Sequence, residues 1–260
     1  MDVQLRSTSA VLIAAGVLFT AACMEDSGMT EPTAARGSVV ASEPELGAAN
    51  ANDAATHTYE ITVTNLTTGQ PMSPGVFVTH TKQQSLFSVG AAASEGIRFI
   101  AENDDPSVAV GAVTGQPGVV DVQSIGAPIH RIGGPGPNSL TFQIAARANA
   151  NRFSFAVMLI CTNDGFTGLD SVKLPGGFTP ATYYAMAYDA GTERNDETSG
   201  SIVPPCFGIG PVTGPAGGGA RTPTADVIGP HAGIQGGAAL DPAHHGWNDP
   251  VARITIQRVD

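Results

Sequence analysis

Thirty-two glycines and 19 prolines are spread over 260 residues, and they interrupt almost every segment of the chain. Each proline removes a backbone donor, and each glycine adds backbone freedom that folding must remove. A helical bundle is therefore disfavoured, and short strands joined by turns remain. Charged residues make up 13%, too few for a coiled coil. Apolar runs recur through the middle of the chain, so wholesale disorder is excluded.

Those runs have strand length and strand composition. Tyr59 to Asn65 (YEITVTN) alternates in character and is rich in β-branched residues, and a turn follows over Asn65 to Gln70. Gly75–His80, Leu140–Ile144, Tyr183–Tyr188 and Val251–Gln257 are further strands. Arg152 to Cys161 (RFSFAVMLIC) is apolar on both phases, as a central strand buried on both faces would be. One short helix fits within Ser88–Glu102. Many short strands separated by turn signals predict an all-β fold, an antiparallel β-sandwich with at most a short helix. Glycine is dense again over 208–220, which reads as a long surface loop.

Before these strands the chain reads as an address and a spacer. Arg6 supplies a positive start, and Ala10–Thr20 is an apolar stretch too short for a comfortable membrane span. Thr20-Ala21-Ala22-Cys23 then resembles a bacterial lipobox, which implies a signal peptide over 1–22 and diacylglycerol on Cys23. Acyl chains on Cys23 would anchor an exported lipoprotein to the cell envelope without a spanning helix. Met24 after the cysteine favours the outer membrane or cell surface by the same resemblance. Residues 23–56 are rich in Glu, Ser, Thr, Ala, Gly and Pro and hold no aromatics, which reads as a flexible tether. The folded domain is expected over 57–260.

The net charge is −11. Cutting off residues 1–22 takes away Asp2 and Arg6, one charge of each sign, so the acidity belongs to the remainder. Nucleic acid is excluded as a partner because its binding needs a basic face. An acidic exported domain is compatible with cation binding.

One ordered set of segments has a family resemblance. Ser73 to His80 (SPGVFVTH) is followed by Leu86-Phe87-Ser88-Val89-Gly90, Ala93-Ser94-Glu95-Gly96 and Ala101-Glu102-Asn103. Asn163 to Ser171 (NDGFTGLDS) and Tyr188 to Glu193 (YDAGTE) come later. The set resembles the spondin domain, the N-terminal module of F-spondin and mindin, over about 57–260. The resemblance implies a C2-like antiparallel sandwich without enzymatic activity. It also implies a calcium ion on acidic side chains and a role in matrix or cell-surface recognition of a protein or glycan.

The resemblance assigns the metal ligands residue by residue. The family segment S-P-D-W-F-V-G aligns with Thr162 to Gly168, so Asp164 is the first carboxylate. The family segment W-D-A-G-T-D aligns with Tyr188 to Glu193, so Asp189 and Glu193 are the others. Gly165 stands where the family has an aromatic, and Glu193 where it has Asp. The residues by themselves agree in kind: calcium takes six to eight oxygens, and DAGTE puts two carboxylates on one tight loop. Asn195 and backbone carbonyls are expected to complete the shell. The competing reading is ordinary turn chemistry, in which Asp and Gly serve local hydrogen bonds. Asp170 reads as structural, and the acidic cluster Asn103-Asp104-Asp105 as a solvated turn.

Lipidation of Cys23 leaves Cys161 and Cys206 as an even pair, and an exported compartment permits a disulfide between them. Closing that loop is worth roughly 3–4 kcal/mol in the chain-entropy model. Neither cysteine lies in a CxxC motif, which argues against redox catalysis. His244-His245 beside Asp241 invites a zinc reading, but no HExxH or knuckle spacing accompanies it. His80 reads as a structural hydrogen-bonder, and the single Trp247 as a core plug. The nucleophile elbow G-x-S-x-G and the phosphate-loop Lys-Ser/Thr are both missing. The expected function is therefore a tethered, non-enzymatic, calcium-binding recognition domain. The alternatives are an envelope structural protein without a ligand and, more remotely, an unrecognised hydrolase.

Overall fold

The computed structural model describes residues 55–214 and 217–260. The expected signal peptide, the lipidation site Cys23 and the tether up to residue 54 lie outside the described residues. Among those described, no helix is long and apolar enough to cross a membrane.

The chain forms an antiparallel β-sandwich of two sheets. The strands are β1 (Thr56–Asn65), β2 (Met72–His80), β3 (Val119–Ile125), β4 (Ser139–Arg147) and β5 (Arg152–Leu159). They continue with β6 (Gly165–Lys173), β7 (Ala181–Ala185), β8 (Ala187–Asp189), β9 (Gly229–Pro230) and β10 (Ala252–Arg258). One sheet runs β4-β1-β10-β7, and the other runs β3-β2-β5-β6-β8-β9.

Two-fold alternation builds the first sheet. Tyr59, Ile61 and Val63 of β1 and Ala252, Ile254 and Ile256 of β10 point inward and are buried. Their register pairs Ile61 with Ile256 and Val63 with Ile254. The first strand begins at Thr56, one residue before the expected His57.

Strand β5 is buried on both faces, as its continuous apolar run requires. Phe153, Phe155, Val157 and Leu159 face the core between the sheets. There Phe155 stacks on Phe77 of β2 at 5.7 Å between ring centres. Ala156 and Met158 face the opposite way into a second core. Helices cover that side: α1 (Glu95–Asn103), α2 (Ser107–Val113) and the single turn α3 (Cys206–Ile209). A further turn, α4 (Pro242–His245), precedes β10. Trp247 is half-buried and packs against both cores, as a plug would.

Ser94 starts α1 by accepting a hydrogen bond from the Ile97 N–H, and Asp104 ends it in a left-handed conformation. The helix thus covers only the second half of the expected Ser88–Glu102 span. The all-β expectation holds, and the helices stay short; they lie where the second face of β5 needs an apolar cover. The single strand expected over Tyr183–Tyr188 is corrected. Ala185 pairs with Ala252 in one sheet and Ala187 with Thr167 in the other, so the chain changes sheet at Met186. Strand β6 was hidden in the sequence by Gly165 and Gly168. A Cβ on Gly168 would lie 2.2 Å from the Phe155 carbonyl oxygen, so glycine marks close backbone approach there.

Phe155 has no exposed surface, whereas Tyr184 on β7 is 57% exposed. Phe155→Ala is expected to destabilise by about 3–5 kcal/mol, and Tyr184→Ala by less than about 0.5 kcal/mol. Urea unfolding followed by circular dichroism checks both values.

Candidate functional site

The site lies where β5 turns into β6 and where β8 runs into the loop after Asp189. The turn from Leu159 to Gly165 is closed by Thr162. Its hydroxyl donates to the Leu159 carbonyl at 2.6 Å and accepts from the Gly165 N–H at 2.9 Å. A Cβ on Gly165 would sit 2.5 Å from that hydroxyl. Glycine is therefore the residue that this turn admits at position 165.

Pairing of β6 with β8 then sets Gly165 against Asp189. The Ala190 N–H donates to the Asp164 carbonyl, which extends the ladder by one step. Asp164 and Asp189 are thereby brought side by side. Asp189 folds the next loop: its Oδ1 accepts from the Gly191 N–H at 2.7 Å, and Gly191 has a φ of 72°. The loop is zipped to the chain that follows Arg221, with Thr224 bonded to Thr192 and Asp226 to Gly191.

Asp164 is fully buried. Its Oδ2 accepts from the Thr192 N–H at 2.7 Å, the Glu193 N–H at 2.9 Å and the Thr192 hydroxyl at 3.2 Å. Its Oδ1 is buried and has no partner. Burial first, and the neighbouring Asp189 charge second, push the Asp164 carboxyl up to about 6 against the pull of those donors.

Glu193 points elsewhere. Its Oε1 accepts from the Asn163 amide at 3.1 Å, and its Oε2 lies 3.2 Å from Arg221 Nε. That ion pair lacks hydrogen-bond alignment, since both atoms are otherwise unpartnered. Burial pushes the Glu193 carboxyl up to about 7, with Asn163 and Arg221 pulling the other way. Asn195 donates its amide to Asp189 Oδ2 at 2.6 Å, so it turns a donor to the acid instead of offering an oxygen to an ion.

The structure therefore brings together two of the three expected carboxylates. Among the described residues, Asp164, Asp189 and Glu193 do not place oxygens all within 4.8 Å of one another. The fit to calcium is divided accordingly. Asp164 Oδ1 is an anionic oxygen without a partner, beside a second carboxylate, and suits a hard cation. The Glu193 carboxylate already has a cation beside it in Arg221.

His231 is a site neighbour that sequence reasoning did not select. It follows β9, which pairs with β8 at Asp189. Its Nδ1 accepts from the Gly233 N–H, its ring edge meets Trp247 at 5.0 Å, and its Nε2 is buried without a partner. Burial lowers its pKa, while Asp189, Glu197 and Asp249 act in the opposite sense. No local spacing marks this residue; only the pairing of β8 with β9 places it.

The hydrolase alternative meets a definite geometry elsewhere. His80 Nε2 lies 2.7 Å from the Ser154 hydroxyl, and Ser154 lies 3.2 Å from Asp170 Oδ1. Here serine is the middle member of the chain, and His80 Nδ1 turns to the Thr81 carbonyl instead of to a carboxylate. Ser154 is wholly buried. A working triad needs the acid on the histidine and an accessible hydroxyl. Asp170 also accepts from the Leu86 N–H at 2.6 Å and the Ser85 hydroxyl at 3.0 Å. The trio thus pins the 85–87 loop onto β5 and β6, in line with the structural reading of His80 and Asp170.

No family model matches this chain, and no curated protein matches it.

Raised carboxyl pKa values mean that the folded chain holds more protons than the unfolded chain between about pH 4 and pH 7. These two groups therefore favour folding less as pH rises through that window. The full shift on Asp164 corresponds to roughly 3 kcal/mol. The lowered values of His231 and His245 act in the opposite direction, so the test is a difference between proteins. Glu193→Gln is expected to gain thermal stability relative to wild type from about pH 5.5 to about pH 8 in a chelator. A difference that is flat or shrinks across this range contradicts the assignment.

Proposed function

We propose that the chain is a non-enzymatic recognition module of the spondin type, carried on the outside of a bacterial cell by a lipid on Cys23. In this reading the loop end of the sandwich meets a surface protein or glycan, and a calcium ion steadies it. The observation that carries the reading is the unpartnered, buried Oδ1 of Asp164 beside Asp189. A bound cation would satisfy that oxygen and offset the repulsion between the two acids. Asp164 and Asp189, with backbone carbonyls and water, are the proposed ligands. Glu193 is proposed to act through Arg221 and Asn163, holding the loop and not the ion.

Thermal unfolding of the full chain in EGTA and then in millimolar calcium tests this proposal. Ligand at about a hundred times its dissociation constant adds roughly 2.7 kcal/mol. For a domain of this size that raises the midpoint by about 5–10 °C. Asp189→Ala is expected to abolish the rise, and Glu193→Gln to keep it. An unchanged wild-type midpoint would leave a sandwich without a calcium site.

A further inference from the structure

The β5–β6 turn also carries Cys161, and its surroundings are unlike those of a purely structural disulfide. Cys161 and Cys206 are bonded to each other and wholly buried. Beside them sits His245, also buried, with a ring nitrogen within 4.8 Å of both sulfurs. Among the described residues this is the one place where three such ligand atoms converge. The imidazole is otherwise half-used. Its Nδ1 lies 3.0 Å from the Asp241 N–H and 3.3 Å from the Asp241 carbonyl, while Nε2 is buried without a partner. A buried ring nitrogen with nothing to bond calls for an explanation. In the shorter contact Nδ1 accepts from the Asp241 N–H, so zinc on Nε2 requires the other tautomer, with Nδ1 donating to the Asp241 carbonyl.

A separate set of bonds holds the cluster in place. Gln70 is fully buried. Its Nε2 donates to the Cys161 carbonyl at 3.0 Å and the His245 carbonyl at 2.7 Å. Its Oε1 accepts from the Cys161 N–H at 2.9 Å. Cys161 and His245 are thus tied to each other through Gln70 by bonds that do not use either sulfur.

We propose that Cys161, Cys206 and His245 form a redox-gated metal site: a disulfide in the oxidised chain, and a Zn2+ site when the two thiols are free. A dithiol reductant gives two electrons and two protons to the S–S bond and leaves as its own disulfide, yielding two Cys–SH groups. Zinc then binds as both thiols lose their protons to solvent. Two thiolates and a neutral imidazole are soft and borderline donors, which suit a d10 ion and not calcium. Two thiolates also cancel a divalent charge, so the buried site stays neutral and avoids the cost of an unpaired buried ion. The site needs neither Asp164 nor Asp189 and stands apart from the calcium reading.

The test uses the full chain carrying Cys23→Ser, so that only this pair titrates, prepared oxidised and reduced and probed with Co2+. The reduced protein is expected to bind one equivalent with a thiolate-to-cobalt charge-transfer band, to release two protons per ion, and to surrender the ion to Zn2+. The oxidised protein is expected to show no such band. His245→Gln should weaken binding by more than about tenfold, since even an outer-shell partner is worth that much. Tyr184→Ala, on the exposed face of β7, should leave the band and the affinity unchanged. Circular dichroism reports folding in each case. A reduced, folded chain without the band overturns the site, as does equal affinity in His245→Gln. A reduced chain that is unfolded and regains both fold and band with Co2+ supports it; one that stays unfolded with the ion overturns it.

Discussion

The two-sided burial of β5 is the constraint from which the rest of the architecture follows. A strand whose odd and even side chains are both apolar cannot face water on either side. Phe153, Phe155 and Val157 are covered by the four-stranded sheet, and Ala156 and Met158 by the helical layer. The molecule is therefore three layers deep at its centre, although its chain is mostly strand. Glycines at 75 and 168 let the neighbouring backbones close up against β5, where a Cβ would collide with the Ala156 or Phe155 carbonyl.

Such a strand needs polar closure at each end, and the two ends are closed differently. Near its start, Ser154 links His80 to Asp170 and so fastens a loop. Past its end, the chain makes the turn that carries Cys161, Asn163 and Asp164, each of them buried. The first end satisfies its hydrogen-bonding groups within the protein. The second leaves Asp164 Oδ1 and, close to Cys161, His245 Nε2 without partners. Unmet polar demand concentrated at one end is the physical basis for placing function there and not at the His80 trio.

Much of the fold was legible because it rests on local periodicity. Tyr59-Ile61-Val63 and Ala252-Ile254-Ile256 alternate cleanly, and the RFSFAVMLIC run announced a central strand. Strand β6 was not legible, because its glycines read as turn signals although they answer to a neighbour's backbone. The sheet change at Met186 was not legible either, because the alternation continues unbroken through Ala185 and Ala187 while their partners differ. At the candidate site, spacing and resemblance pointed to Asp164 and Asp189, whose segments local pairing sets side by side. They did not find Arg221, whose approach to Glu193 depends on a segment folding back from 28 residues further on. The same holds for His231 and Gln70, whose roles exist only after distant loops meet. The Cys161–Cys206 bridge was legible once Cys23 was set aside as the lipidated residue, which left an even pair.

The Gln70 amide has one further consequence. It belongs to the connection between β1 and β2, yet it grips the turn after β5 and the turn before β10. Three segments far apart in sequence are thereby tied together by a single side chain. Their relative positions are set during folding, before any encounter. A molecule docking on this end of the sandwich would meet a surface already assembled, and little of its binding energy would go into ordering loops. Recognition here would resemble a key meeting a cut lock more than a hand closing on an object.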